Sequence, residues 1–223
     1  MRNEQEKHEI RERFLHVDAA NVADVLDEMG LPDQGLSPDF QAATGPRLAG
    51  WAYTIVGQMV PYEGSGDPKK MEACNGIGSD EISVWSGDGE GICYFGELIG
   101  LGMAQRGSTG ALVDGGIRDI RALREHEYPV FARYRTPVQS IGRWRVTDYQ
   151  VAVTVGGATV KRVNVKPGDF ILADEDGAIA IPNEQVDEVL SRAEAMTQAE
   201  VKVREALRGG LSLADALAKF GHV

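Results

Sequence analysis

Three charged residues, Glu97, Arg118 and Asp119, have types and a spacing that could form a reactive site. Glu97 precedes the adjacent Arg118 and Asp119 by twenty intervening residues. Carboxylates are hard oxygen ligands for Mg²⁺, which keeps several waters and needs only one or two protein carboxylates. A guanidinium can bind an anionic oxygen with paired donors. Together they could stabilise negative charge that develops on a small substrate, whereas the structural alternative is a helix-capping aspartate beside a solvated arginine.

Helix and strand signals alternate around these residues. Apolar spacing predicts a glycine-rich helix over 96–107 and then a buried strand over 111–114. We predict a sharp turn at Gly115 and Gly116 and a second helix over 119–127. Such alternation is typical of a parallel β-α-β unit, in which the start of the first helix can meet the turn after the strand. Two carboxylates and one guanidinium would then converge.

The start of the glycine-rich helix offers a further binding feature. The backbone N–H groups of Leu98 and Ile99 lie in the first turn, where a helix has no internal acceptor for them. A substrate carboxylate could be held there, against the positive end of the helix. With a metal ion and Arg118 at the keto oxygen, this arrangement predicts that a keto acid binds and that its enolate is stabilised.

The remaining signals predict an α/β protein with a single domain. A helix is predicted over 18–30, and helices return from Asn183 onward. Short strands separated by turn residues between Pro129 and Pro182 indicate a β-rich layer. Because 223 residues and 24.1 kDa are long for one average domain and short for two, we predict one domain over 1–223. Its core covers about 19–182, and C-terminal helices cover 183–223.

Composition argues against several classes of function. The net charge is −11 and no stretch is rich in lysine and arginine, so nucleic acid is not a predicted partner. No apolar run approaches about 18 residues and the N-terminus lacks the apolar core of a secretion signal, so we expect no membrane partner and a cytoplasmic location. Cys74 and Cys93 lack the CxxC spacing of zinc sites. The histidines also lack paired spacing: His8, His16, His126 and His222.

The motif GELIGLGMAQRGSTGALVDGGIRD, with PGDFILADEDGAIAIP downstream, resembles the RraA-like family. That family includes the class II 4-hydroxy-4-methyl-2-oxoglutarate/4-carboxy-4-hydroxy-2-oxoadipate aldolases. The resemblance covers roughly residues 19–210, and its specific part is the acidic residue followed, twenty residues later, by Arg-Asp after VDGG. It implies a layered β/β/α fold, similar to swivelling domains, with peripheral N- and C-terminal helices. It also implies a homo-oligomer, a trimer or hexamer, with sites between subunits.

The resemblance implies a role for each residue of the motif. Asp119 would bind a divalent metal ion, Mg²⁺ or Mn²⁺, directly. Glu97, which stands where the family usually has aspartate, would hold a metal-bound water. Arg118 would contact the keto oxygen and steady a pyruvate enolate, while the amides of Leu98 and Ile99 would take the C1 carboxylate.

A glutamate from the C-terminal helix of a neighbouring subunit completes the family's site. Judged by its distance before the Leu-x-x-Gly at 207–210, the best match is Glu200. Glu194 and Glu205 are nearby rivals. In the predicted mechanism, the water held by Glu97 is the base for the C4 hydroxyl of the substrate, and Glu200 relays the proton.

We therefore predict a metal-dependent lyase that cleaves a 4-hydroxy-2-oxo acid to pyruvate by a retro-aldol step, with oxaloacetate decarboxylation by the same enolate chemistry. Two alternatives remain open. Members of the same family bind and inhibit the endoribonuclease RNase E, so the protein could be a non-catalytic regulator. It could also be a related lyase that acts on another keto acid or a sugar acid, with residues 61–80 reshaping the pocket.

Overall fold

Strands and helices alternate along the first half of the chain, and strands dominate the second half. The computed structural model describes residues 2–62, 64 and 66–220. In chain order the strands are β1 (Gln41–Thr44), β2 (Leu48–Met59), β3 (Glu81–Ser86), β4 (Cys93–Phe95), β5 (Gly110–Ile117), β6 (Val130–Arg135), β7 (Trp144–Tyr149), β8 (Val153–Gly156), β9 (Arg162–Val165), β10 (Phe170–Asp174) and β11 (Gly177–Ile181). The helices are α1 (Glu4–Phe14), α2 (Ala19–Glu28), α3 (Pro68–Asn75), α4 (Glu97–Ala104), α5 (Ile120–Glu125), α6 (Val186–Arg208) and α7 (Leu213–Phe220).

The main sheet has a parallel centre with antiparallel additions. Its order is β1-β6-β5-β3-β2-β10-β11, and the run from β6 to β2 is parallel. β1, β10 and β11 pair antiparallel, β7 also pairs antiparallel with β2, and β4 adds a short parallel pairing to β5. Because β4 and β5 run parallel, their carboxyl ends meet at the same edge of the sheet, where open α/β sheets bind ligands.

Apolar side chains on both faces of the sheet form the layers. One face packs against α3, α4 and α5. The opposite face is covered by the separate antiparallel ribbon of β8 and β9. The terminal helices α1, α2 and α6 pack over β10, β11 and the start of β2. The predicted layered α/β fold with peripheral terminal helices is therefore confirmed, and among the described residues no helix is both long and apolar enough to cross a membrane.

The predicted turn at Gly115 and Gly116 is wrong, because both glycines lie inside β5 and are buried. Long-range packing explains why they are glycines. A Cβ at Gly115 would lie 2.5 Å from Cε2 of Tyr94, and one at Gly116 would lie 2.5 Å from Cε2 of Tyr134. The chain reverses at Asp119, whose φ is +61°.

Three elements, α1, β1 and β4, are not predicted by the local sequence pattern. Residues Glu4–Phe14 form α1, which begins with a capping box: Asn3 Oδ1 accepts a hydrogen bond from the Glu6 amide at 2.9 Å, and Glu6 Oε2 accepts one from the Asn3 amide at 2.8 Å. The edge strand β1 and the short β4 were also not predicted. Each is held by its pairing to a distant strand, which local spacing does not reveal.

Candidate active site

A cavity of about 380 Å³ opens at the sheet edge where β4 and β5 end. Its wall includes the first residues of α4, Leu98 and Ile99, together with Arg118 and Asp119 from the segment after β5. The structure thus brings these four predicted site residues to one cavity. Apolar groups, among them Trp144, make up much of the remaining wall.

Asp119 directs its carboxylate at the neighbouring helix. It is the N-cap residue of α5, yet its side chain makes no capping bond to that helix. Instead Oδ2 accepts a hydrogen bond from the Glu97 amide at 3.3 Å and lies 3.4 Å from Arg118 Nε. Aspartate tolerates the left-handed backbone that this position requires. The simple capping alternative is therefore wrong for α5, and a half-exposed carboxylate faces the start of α4.

Arg118 and Gly96 join the ends of the two strands. The Arg118 amide donates to the Phe95 carbonyl at 3.1 Å, which ties the end of β5 to the end of β4. Gly96 then lets α4 begin against this segment, because a Cβ at that position would lie 2.7 Å from Asp119 Oδ2 and 3.2 Å from Arg118 Cγ. Any larger residue would displace the two charged side chains.

The amides of Leu98 and Ile99 are available to a ligand. The N-cap of α4 is Gly96, which supplies no side-chain acceptor. No acceptor for either amide is found within the described part of the chain. The Leu98 side chain is 79% exposed at the cavity mouth. This first turn therefore offers two donors at the positive end of a helix to an anion in the cavity.

Glu97 takes a different position from the one its spacing predicts. Its backbone amide lies beside Asp119, but its carboxylate lies outside the cavity wall, with Oε1 3.2 Å from Nε2 of His126. His126, for which no role was predicted, lies at the end of α5 and contacts this carboxylate. The structure thus brings the backbone of Glu97 to the site and not its acidic group. His222 lies outside the described residues.

The C-terminal glutamates lie on α6, away from the cavity wall of the same chain. Glu200 pairs with Arg204 one turn along the helix. Glu194 forms a two-bond ion pair with Arg13 of α1, with distances of 2.8 and 2.6 Å, and Glu205 is exposed. The prediction that one of these glutamates completes the site of a neighbouring subunit stays a prediction. Glu194 already forms its ion pair within its own chain.

We predict that Glu194 stabilises the fold and has no part in turnover. The Arg13 guanidinium lowers the pKa of the Glu194 carboxyl. The pair therefore contributes stability above the ordinary glutamate pKa of about 4.3, and this is lost as the pH falls through the lower value in the folded state. Glu194→Gln should reduce the free energy of unfolding at pH 7 by up to about 1 kcal/mol, and by less at pH 3, which lies below the ordinary glutamate pKa.

Urea unfolding at both pH values, with Glu205→Gln as the exposed control, measures this difference. A Glu194→Gln variant with unchanged stability and reduced turnover would contradict the assignment and make Glu194 the rival catalytic glutamate.

Sequence reasoning missed Lys70, a buried cation in the cavity wall. It lies in α3 and is 9% exposed. Its ammonium donates to the Tyr94 carbonyl, lies 3.4 Å from Ser140 Oγ, and is 5.2 and 5.9 Å from the ring centres of Trp85 and Trp144. Burial lowers its pKa. The sequence does contain a pattern that could have indicated its burial. Asp67 and Pro68 are typical of a helix start, and Lys70 then shares one face of the helix with Ala73 and Cys74, which are buried.

The donor set suits a metal ion that keeps most of its waters. Within the described residues, no group of three or more histidine, cysteine or acidic side chains could form a complete metal cage. Asp119 supplies one carboxylate beside the open amides of α4, and its Oδ1 makes no hydrogen bond within the described part of the chain. One carboxylate with water and substrate oxygens is a common way to hold Mg²⁺, so this donor set fits such an ion.

Comparisons with known proteins identify the family to which this fold belongs. The family model described as RraA-like, Aldolase/RraA, matches residues 19–180. Protein DlpA of Legionella pneumophila is 26% identical over 208 residues, which cover 92% of this chain and 32% of DlpA. A Halalkalibacterium halodurans protein named "Putative 4-hydroxy-4-methyl-2-oxoglutarate aldolase" is 36% identical over 122 residues, which cover 53% of this chain and 54% of that protein.

The chain therefore spans about a third of the first relative and about half of the second. Among solved structures, Streptomyces coelicolor RraAS2, described as an unusual member of the RNase ES inhibitor RraA protein family, matches with a TM-score of 0.75 at 25% identity. The match covers 88% of this chain and 96% of RraAS2. From the family model over most of its length and the shared fold, we conclude that the chain belongs to the RraA-like family.

Proposed function

We propose that the protein is a divalent-metal-dependent lyase that cleaves a 4-hydroxy-2-oxo acid to pyruvate and a second carbonyl compound. One observation carries this proposal: the open amides of Leu98 and Ile99, the Arg118 guanidinium and the Asp119 carboxylate line one cavity. Each group matches one need of a keto acid that passes through an enolate. Relatives named as 4-hydroxy-4-methyl-2-oxoglutarate aldolases, with the prefix "Putative", support the same reaction class.

The binding roles follow from the positions of the donors. The amides of Leu98 and Ile99 hold the C1 carboxylate of the substrate at the positive end of α4. Arg118 donates to the C2 keto oxygen, which places its positive charge where negative charge develops when the C3–C4 bond breaks. Asp119, 3.4 Å from Arg118 Nε, orients that guanidinium.

The cavity wall strengthens these interactions. Trp144 and the neighbouring apolar groups limit water around the bound keto acid, so the charges of Arg118 and the α4 amides are screened less than in bulk water. When bound, a Mg²⁺ or Mn²⁺ ion held by Asp119 would supply Lewis-acid polarisation of the keto oxygen. The same stabilisation extends to oxaloacetate, whose decarboxylation also leaves a pyruvate enolate.

Two predicted roles are not carried by the contacts within one chain. Glu97 is predicted to hold the water that acts as base for the C4 hydroxyl. For that role its carboxylate would have to move away from His126, whose Nε2 lies 3.2 Å from Glu97 Oε1 in this structure. Glu200 would have to come from a neighbouring subunit of a homo-oligomer. Both stay predictions, and both are testable by substitution with glutamine in the assay below.

Pyruvate release tests the proposed function. We expect the wild-type protein with Mg²⁺ or Mn²⁺ to release pyruvate from 4-hydroxy-4-methyl-2-oxoglutarate and from oxaloacetate, measured with a coupled lactate dehydrogenase assay. Release from only one of the two acids would fix the substrate preference. No release from either acid, together with capture of an RNase E scaffold segment, would contradict the proposal and favour the regulator.

A further inference from the structure

Lys70 is a buried positive charge in the cavity wall that none of the roles above uses. No carboxylate contacts its ammonium in the described part of the chain, although buried charges in proteins are normally paired. The charged and titratable groups that face it are Asp67 and Cys74 from its own helix, Cys93 of β4, and Arg118 after β5. An isolated cation of this kind in a cavity is typical of a group that meets a substrate.

The position of the ammonium is set by several contacts. It donates to the Tyr94 carbonyl, lies 3.4 Å from Ser140 Oγ, and is flanked by the Trp85 and Trp144 rings. An ammonium has three N–H donors, and these two oxygens accept at most two of them. Lys70 also lines the cavity, and these two oxygens leave one N–H donor of its ammonium without an oxygen acceptor.

The proposed reaction has a proton transfer without an assigned group. In the retro-aldol step the C4 hydroxyl loses its proton, the C3–C4 bond breaks, and its electron pair forms the C2–C3 double bond of the enolate. The enolate becomes pyruvate only when C3 receives a proton. The roles given to Leu98, Ile99 and Arg118 concern the carboxylate and the keto oxygen, and C3 has no partner among them.

We propose, on the basis of the function proposed above, that Lys70 donates the proton to C3 of the enolate. The C2–C3 π electrons of the enolate form the C3–H bond as the N–H bond of the ammonium breaks, and a lone pair of the enolate oxygen re-forms the C2 keto group. Lys70 is left as a neutral amine and regains a proton from water at the cavity mouth. In the reverse direction the neutral amine removes a proton from the methyl group of pyruvate.

Other protic groups in the cavity wall suit this transfer less well. Both carboxylate oxygens of Asp67 accept backbone N–H groups, from Lys70 at 3.0 Å and from Val146 at 2.8 Å. Burial raises the pKa of the Cys93 thiol, so it holds its proton more firmly. Burial lowers the pKa of Lys70, which brings its proton affinity closer to that of an efficient acid-base group near neutral pH.

Exchange of the pyruvate methyl protons for deuterium isolates this step. Wild-type protein with Mg²⁺ and pyruvate in D₂O is followed by proton NMR, with a protein-free sample for the background. Lys70→Met and Lys70→Arg should each slow exchange about 100-fold or more, because methionine carries no proton and arginine does not release one. Lys69→Met is the matched control on the same helix, since Lys69 is 44% exposed and contacts Thr147 and Asp148.

The pH dependence separates a proton carrier from a structural cation. Removal of a methyl proton needs the neutral amine, so wild-type exchange should rise with pH through the pKa of Lys70, and this rise should be absent in both variants. Thermal unfolding checks that the variants fold; if Lys70→Met does not, Lys70→Arg and the wild-type pH profile decide.

Each result has a distinct meaning. Folded variants that exchange at the wild-type rate would overturn the role of Lys70, and so would loss in Lys70→Met with full activity in Lys70→Arg, because only the charge would then matter. In either case pyruvate release by the wild type would leave the proposed function standing. A wild-type protein that neither exchanges pyruvate protons nor releases pyruvate would overturn both.

Discussion

Replacement of Asp119 by asparagine should reduce pyruvate release by about 100-fold or more and leave the fold intact. The substitution removes the carboxylate that orients Arg118 and is the proposed metal ligand, and loss of one group that stabilises an oxyanion typically costs this much. Asparagine is a better test than alanine because it tolerates the φ of +61° at this position. Alanine there would lower the stability of the fold by about 1–2 kcal/mol. The coupled assay and thermal unfolding measure the two effects separately.

Arg118→Met should give a loss of similar size, since it removes the donor to the keto oxygen. Arg121→Met is the matched control, because Arg121 lies on α5 and its side chain is 93% exposed. Wild-type turnover in Asp119→Asn or Arg118→Met, or an equal loss in Arg121→Met, would contradict the assignment of the site.

The second large effect is expected from a single methyl group at Gly96. Its backbone is extended, with φ of −159°, so alanine brings no backbone strain there. Its Cβ would lie 2.7 Å from Asp119 Oδ2 and must displace that carboxylate and the adjoining Arg118. A shift of about 1 Å in the position of catalytic groups can lower the reaction rate about 100-fold. We therefore expect Gly96→Ala to lose most of its turnover.

Gly102 provides the matched control in the same helix. A Cβ at Gly102 meets nothing within 4 Å, so Gly102→Ala should keep wild-type turnover and raise the free energy of unfolding by up to about 1 kcal/mol. Pyruvate release and urea unfolding of both variants test the pair. Full activity in Gly96→Ala would show that Asp119 and Arg118 need not hold the positions seen here.

Local spacing was enough to predict most of the elements that build the site. Helices α4 and α5 lie within their predicted ranges, and the predicted strand over 111–114 lies within β5. The prediction that the helix start meets the segment after the strand agrees with the hydrogen bond between the Glu97 amide and Asp119. These features depend on apolar periodicity and on the short connections of a parallel unit, both of which the sequence displays.

The errors have long-range causes. Gly115 and Gly116 look like a turn, and only the rings of Tyr94 and Tyr134 across the fold explain why they lie in a strand. Likewise, no spacing rule places the Glu97 carboxylate beside His126, because that contact depends on how α4 packs against α5.

Lys70 was missed for a related reason. It is one of two adjacent lysines, and only the exact start of α3 determines which of them is buried. Element boundaries are what local spacing predicts least well, and here a shift of one residue exchanges an exposed lysine for a group in the cavity wall. The role of Glu200 depends on a neighbouring subunit, which spacing within one chain does not describe.

Reversible chelation in one sample tests the central claim most directly. Pyruvate release from 4-hydroxy-4-methyl-2-oxoglutarate by the wild-type protein should proceed with Mg²⁺, stop on addition of EDTA, and return when Mg²⁺ is added in excess. That result would support an enolate site at the start of α4 that depends on a divalent ion held by Asp119. Release that continues unchanged in EDTA, or no release under any of the three conditions, would contradict it.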